Sequence, residues 1–488
     1  MKKIIAFILL VLLILTACGC DEGSSSAIIY YGVISEPETL DPQTAESFIE
    51  LMISRNIYEG LLRESDTGEI VNGIAESYTV NGLTYTFNLR RDAVWSNGES
   101  VTAHDFVFGF QRAVDPKTAA PNAELLYSIK NAEKINKGTV KVSALGVTAT
   151  DDYTLQIELQ EKDDNLLYTL TTAVAMPCNQ KFFNNTVGKY GMSAETTLSN
   201  GSYELTKWVT EDFAMRILKN KEYTGSFIPK NAAVYFSYSD ERTTLESLQK
   251  SAVDIAEITN EQIDAAGDEF TVATMENKVL LLSLGSGYSR NMKHALHLSY
   301  MQSGDFVGIN SSFTFADRLY PNVFDITDTP RIDIYNPTLA KQIYNAEILN
   351  LENKEFPQTT LYYSGDDSIT DIVKTIASHW QQDLGAYINI SRLDSDSSVY
   401  YKTVDDQFHL AAYSFEINEK NSDTYMQNLN LGGKNPATEE EYKDIYRYSG
   451  TIPLAYYGTI FAYDECLTEV PFFDTNGFID FSVISKDI

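Results

Sequence analysis

The residues that most often carry metal or nucleophilic chemistry are sparse in this chain of 488 residues: five histidines and four cysteines. His294 and His297 stand three apart, a spacing that places both on one face of a helix. No carboxylate or cysteine lies at matching short spacing to complete a metal site, and His104, His379 and His409 are scattered. Asp394-Ser-Asp396-Ser-Ser398 begins like a calcium loop, but Val399 occupies the position of the turn glycine and no bidentate Glu closes the loop. Cys18-Gly19-Cys20 has two thiols without a second pair at zinc-finger spacing. The chain also lacks His-Glu-x-x-His, Gly-x-Ser-x-Gly, a Walker loop and a dinucleotide fingerprint. With 68 Asp and Glu, pairing any two as acid and base is arbitrary. These residues favour binding over catalysis, with no enzyme activity, metal or cofactor expected.

Composition narrows what is bound. The formal net charge of −31 argues against nucleic acid, which requires a dense cationic surface. At 43% hydrophobic and 22% charged, the chain can bury a large core, and its length suggests two or three domains. Aromatic residues are abundant, with 31 Tyr, 24 Phe and 3 Trp. Rings with an apolar body and a polar tip can pave a wet ligand cleft, or they can simply fill strands.

The elements that must position a site follow from periodicity and turn signals. Ile28–Val33 reads as a buried strand. Tyr78–Leu89 alternates around Asn81-Gly82 as a hairpin, with Leu83, Tyr85, Phe87 and Leu89 on one face. Thr102 caps a helix with Phe106, Val107, Phe110 and Val114 at helical spacing, stopped by Asp115-Pro116. Val142–Ala149 and Tyr153–Leu159 read as a strand pair turning at Asp151-Asp152, and Asn200-Gly201 opens the strand Tyr203–Val209. Asn336-Pro337 marks a helix start. Thr359–Tyr363, a helix from Ser368 burying Ile369, Ile372, Val373, Ile376 and Trp380, and Tyr387–Arg392 form a β-helix-β unit, which implies a parallel pair.

The first residues suggest export. Lys2 and Lys3 precede the apolar run Ile4–Leu15, too short to span a bilayer comfortably. Leu15-Thr16-Ala17-Cys18 resembles the lipobox at which bacterial prolipoproteins are cut and acylated. This resemblance implies a signal peptide over 1–17, lipidation at Cys18 and a polar tether over 18–26. Cys178 and Cys466 could pair in an exported chain, but 287 intervening residues make the sequence a poor guide to their separation.

Several stretches together resemble the extracytoplasmic solute-binding proteins of peptide and nickel ABC importers, family 5, and within it the oligopeptide-binding lipoproteins. They are Glu36-Pro-Glu-Thr-Leu-Asp41-Pro42, Asn56-Ile-Tyr-Glu59-Gly60-Leu-Leu62, Gly73-Ile-Ala-Glu-Ser77 with the hairpin, Trp95 through Phe106 to Arg112 and Asp115-Pro116, and Asn200-Gly201-Ser202-Tyr203 to Trp208. Ser202 stands where the family has proline. Trp95, Gly98 and Phe106 are best read as turn and core of one lobe. The resemblance implies an α/β, type II periplasmic-binding-protein fold: two lobes with a hinge, plus an extra domain. The expected division is lobe I over 27–66, 198–287 and 451–488, the extra domain over 67–197, and lobe II over 288–450.

The same resemblance implies a monomer that captures oligopeptides between closing lobes and delivers them to the permease subunits of an ABC transporter. Its place would be the outer face of the cytoplasmic membrane, held by the lipid anchor. Carried over by position, the ligand segments are Ala45, Glu46, Ser47 and Phe48 in one lobe and Ser414, Phe415, Glu416 and Asn418 in the other, with Tyr400 as a further aromatic contact. Asn418 stands where the oligopeptide binders have an Asp that holds the peptide ammonium, and Phe415 replaces a Trp. Glu416 could supply the missing charge, because residues two apart on a strand share a face. The stretch between Asn428 and Gly450 is shorter than in the family. These departures leave open a same-fold receptor for another solute such as a metal chelate, a receptor for a signalling peptide, and, further off, a surface hydrolase or adhesion lipoprotein.

Overall fold

A computed structural model describes residues 27–65, 69–209, 214–238, 243–259, 262–267, 269–275, 278–302, 305, 313–316, 334–365, 367–396, 398–399, 409–416, 439–468 and 478–486; for Glu416, Glu439, Glu440 and Tyr442 only the backbone is described. Cys18, Tyr400 and Asn418 lie outside these residues, as does 428–438 of the stretch expected to be short; the rest of that stretch holds the helix Glu439–Tyr448.

Two mixed sheets dominate. In the first, Ile28–Val33 is central and parallel to both Ala233–Tyr238 and Ile255–Ile258. Ile460–Tyr463 and Thr271–Thr274 extend one side, and Ala214–Lys219 and Tyr203–Val209 extend the other, all antiparallel to their neighbours. In the second, Thr359–Tyr363 is parallel to Ile388–Arg392 and to Leu410–Glu416, as the β-helix-β spacing predicts. Lys278–Leu284 then pairs antiparallel with both Leu410–Glu416 and Thr451–Tyr457, and Thr314–Phe315 forms the far edge. A separate four-stranded antiparallel sheet contains the Asn81-Gly82 hairpin, joined through Thr154–Glu158 to Val147–Asp151.

The chain passes between the two large sheets at only two places among the described residues, after Thr274 and after Tyr457. These crossings run side by side: the Met275 amide donates to the Thr459 carbonyl at 2.9 Å, flanked by the pairs Thr274↔Ile460 and Lys278↔Tyr457. A double link of this kind lets two bodies rotate while their own cores stay intact. Lys278–Leu284 and Thr451–Tyr457, expected in lobe I, hydrogen-bond into the second sheet instead. The reason is register. Lys278–Leu284 follows a first-sheet strand and Thr451–Tyr457 precedes one across the link, so sequence contiguity hides the change of sheet.

The cores follow this division. The second sheet has its own core, with Leu280, Leu282, Ile372, Ile376 and Trp380 at its centre. The extra unit does not stand alone, since Trp95, Phe106 and Phe110 belong to one continuous core with Ile29, Ile53 and Tyr203 of the first sheet. Trp95 and Phe106 are fully buried, and Gly98 takes a φ of +81° in the turn where its amide bonds the Trp95 carbonyl. Glycine adopts that conformation without steric cost.

Local signals hold in most places. Thr102 and Asp105 form a capping box ahead of Ala103–Val114, and the Asn336 side chain caps Pro337–Asn350. Two elements differ from expectation. Val142–Ala144 is a 3-10 turn, and the strand begins only at Val147, because Gly146 is held by backbone bonds to Lys130 and Glu158. The helix Asp367–His379 ends before Trp380, whose indole donates to the Leu296 carbonyl at 2.8 Å from a π-turn.

Candidate ligand-binding site

The first carried-over segment forms the entry to the helix Phe48–Ile57. Ser47 is its N-cap, and Glu50 completes the capping box. Glu50 does more than cap. Its two carboxylate oxygens accept the backbone amides of Glu38, Thr39, Glu46 and Ser47 at 2.8–3.1 Å, so one buried side chain shapes the whole loop from Glu38 to Ser47. Burial pushes this carboxyl up, but the four amides outweigh it and hold the group below its ordinary value. Ala45 is buried, Glu46 and Ser47 are exposed, and Phe48 is half-buried with its ring 5.3 Å from Phe478 and 6.4 Å from Phe461.

Behind this loop, Asp41 and Arg112 form a buried ion pair, with Arg112 Nη1 3.0 Å from Asp41 Oδ1 and a second bond to Oδ2. Arg112 also donates to Gln43 and lies over the Phe183 ring at 4.1 Å. Two motifs that carry the family resemblance therefore meet in space, and they tie the loop to the extra unit without being exposed to solvent.

The second segment lies on the strand Leu410–Glu416. That strand pairs along its whole length with Lys278–Leu284, but with Thr359–Tyr363 only as far as Ala412. Beyond Ala412 no described strand lies on that side. At Ser414 the amide on this edge is taken by a side chain: Asp396 Oδ1 accepts it at 2.9 Å and also accepts the Ser364 hydroxyl. Asp396 belongs to the loop that began like a calcium site. Ser414 Oγ accepts the Tyr457 hydroxyl, and Phe415 is half-buried against the second core.

The two segments thus meet opposite ends of one crossing strand pair. Phe48 packs on Phe461, which follows the crossing, and Ser414 is bonded to Tyr457, which precedes it. Ser414 of the candidate site lies at the carboxyl end of the parallel strands of the second sheet, the place where open α/β sheets bind ligands.

Three residues beside the candidate segments were missed by the sequence reading. Glu50 was legible from Ser47-x-x-Glu50, a capping-box spacing. Asp396 had no signal beyond its loop. Glu257, in Ile255–Ile258, stands directly across from Phe461 and accepts the buried Tyr31 hydroxyl at 3.0 Å.

No group of three or more His, Cys, Asp or Glu side chains that could hold a metal is found among the described residues. His294 and His297 do share the helix Arg290–His297, but His297 is fully buried with Nδ1 3.4 Å from the Arg447 carbonyl, and burial drives its pKa down to about 3. His294 packs edge-on against Tyr448. Cys178 and Cys466 are both free thiols, the former buried beside Arg112 with its pKa pushed up to about 12 by burial.

Residues 69–285 match the model for the middle region of the bacterial extracellular solute-binding proteins, family 5. The dipeptide-binding protein DppE of Bacillus subtilis is 25% identical over 387 residues, 76% of this chain and 71% of that protein. The probable deoxycholate-binding periplasmic protein YgiS of Escherichia coli is 36% identical over 203 residues, which span 40% of this chain and only 37% of that relative. Among solved structures, the unliganded open form of the periplasmic murein tripeptide binding protein MppA superposes with a TM-score of 0.76 at 20% identity, covering 95% of this chain and 98% of that one. That likeness extends the two-lobed α/β fold over nearly the whole molecule. With the family motifs assembled around one lobe and a paired crossing to the second, residues 69–285 are similar to the extracellular solute-binding proteins of family 5, and the fold over nearly the whole chain is like that of MppA.

Proposed function

We propose that this protein is a lipid-anchored receptor that captures oligopeptides between its lobes outside the cytoplasmic membrane and delivers them to an ABC permease. The observation that carries the reading is the edge of the strand Leu410–Glu416 beyond Ala412. At Ser414 its backbone donor is satisfied by the Asp396 carboxylate and not by a neighbouring strand. An extended peptide can add to such an edge by backbone pairing, which gives affinity with little dependence on sequence. Glu46 and Ser47 present the facing lobe, and Glu50 keeps their loop in shape. Relatives named for dipeptide binding agree with this ligand class.

The mature chain from Cys18 should melt at a higher temperature with at least some short peptides. A diverse peptide library that produces no shift would sink the peptide reading. A second reading, an amphipathic non-peptide solute, is favoured by the 36% identity to the probable deoxycholate-binding protein and by the cluster of Phe48, Phe461 and Phe478. A shift with deoxycholate and none with peptides would select it. For the anchor, Cys18→Ala should move the protein from the membrane fraction to the soluble fraction, and mass spectrometry of the wild-type N-terminus should find acyl groups on Cys18.

A further inference from the structure

Glu257 is a carboxylate that the fold buries without giving it a countercharge. It is 6% exposed, on the strand Ile255–Ile258 next to the crossing between the lobes. Its Oε1 accepts the Tyr31 hydroxyl at 3.0 Å. Oε2 has no partner among the described residues, yet it is not among the unpaired polar atoms that are sealed from solvent. No Lys, Arg or His of the described residues forms a salt bridge with it. Burial raises the carboxyl to about 7, and the phenol offsets only part of that. Other acids of the same lobe do have a cation: Asp41 pairs with Arg112, Asp480 with Arg63, and Glu59 with Arg90, while buried Glu50 is met by four backbone amides.

Its position is that of the site. Directly across the ladder stands Phe461, whose ring meets Phe48, and Tyr31 packs on Phe461 and on Phe481. Glu257 therefore shares the face of the sheet that holds Phe48, just before the strand runs out toward the second lobe. A neutral phenol supplies one hydrogen bond but leaves the charge of an ionised carboxylate uncompensated. A cation arriving from outside would supply the missing partner, and the cost of stripping water from the carboxylate has already been met by folding.

We propose that Glu257 is a specificity-determining residue of this site, selecting ligands that bring a protonated amine or a guanidinium to the floor beside Phe48 and Phe461. This inference rests on the peptide reading above and deepens it to cationic peptides.

The test is isothermal titration calorimetry of the mature wild type, Glu257→Gln and Tyr31→Phe with two probes, trilysine and N-acetyl-trialanine amide. The wild type should prefer trilysine. Glu257→Gln, whose amide oxygen still accepts the Tyr31 hydroxyl, should lose about tenfold in trilysine affinity and keep its affinity for the blocked peptide. Tyr31→Phe removes the phenol and keeps the carboxylate, so it should retain the preference. Equal trilysine binding by Glu257→Gln and wild type would overturn the proposal, as would loss of preference in Tyr31→Phe with Glu257→Gln unaffected. If the wild type binds both probes without preference, the inference fails and the peptide reading stands. If it binds neither, with no shift from the wider peptide library, the peptide reading falls first and this inference falls with it.

Discussion

At the scale of single residues, buried charges separate into those the fold pairs and those it leaves for something else. Arg112 and Asp41 are a paired case, both under a tenth exposed. Arg112→Met would leave the Asp41 carboxylate buried without its partner, and the expected loss is about 3–5 kcal/mol, read as a lower denaturant midpoint. Glu257 behaves in the opposite sense. Its folded-state pKa of about 7 lies above that of the unfolded chain, so the proton it holds favours the fold at low pH and is lost as pH rises through 7. Between pH 5 and pH 8 the ligand-free wild type should therefore lose stability relative to Glu257→Gln, by up to roughly 3 kcal/mol. Thermal melts of both proteins at the two pH values check this. A difference that stays constant with pH would exclude Glu257 as the titrating group.

At the scale of elements, the loop Glu38–Ser47 owes its shape to one carboxylate. Because the Glu50 pKa is lowered by amide bonds, its contribution is present at neutral pH and is lost only as pH falls through the carboxyl range. Glu50→Ala should cost about 2–3 kcal/mol by leaving four donor amides without their acceptor. Hydrogen exchange should rise selectively at the amides of Glu38, Thr39, Glu46 and Ser47, and ligand affinity should fall with it. Ser47→Ala removes only the cap and should cost about 1 kcal/mol. Helix starts at Thr102 and Asn336 were legible because a cap is a local hydrogen bond between residues three apart; the start at Ser47 carries the same signal but was not read. The strand start at Val147 was not, because the backbone of Gly146 is held by Lys130 and Glu158, far apart in sequence.

At the scale of the whole molecule, the paired crossings at 275 and 459 are the only described connections between the two large sheets. The lobes have separate cores, so a ligand can shift their relative orientation without unfolding either. Small-angle scattering should show a smaller radius of gyration when a bound peptide is added, and an unchanged radius with a bound ligand would argue against closure. The sequence by itself carried the resemblance to the family, the secondary elements with local signals and the parallel β-helix-β unit, because motifs, caps, turns and alternation act over a few residues. Only the tertiary structure decided that Lys278–Leu284 and Thr451–Tyr457 belong to the second sheet, that Asp396 meets Ser414, and that Glu257 lies across from Phe461. Those facts depend on register between strands distant in the chain, where a pairing partner is set by packing and carries no mark in the local sequence.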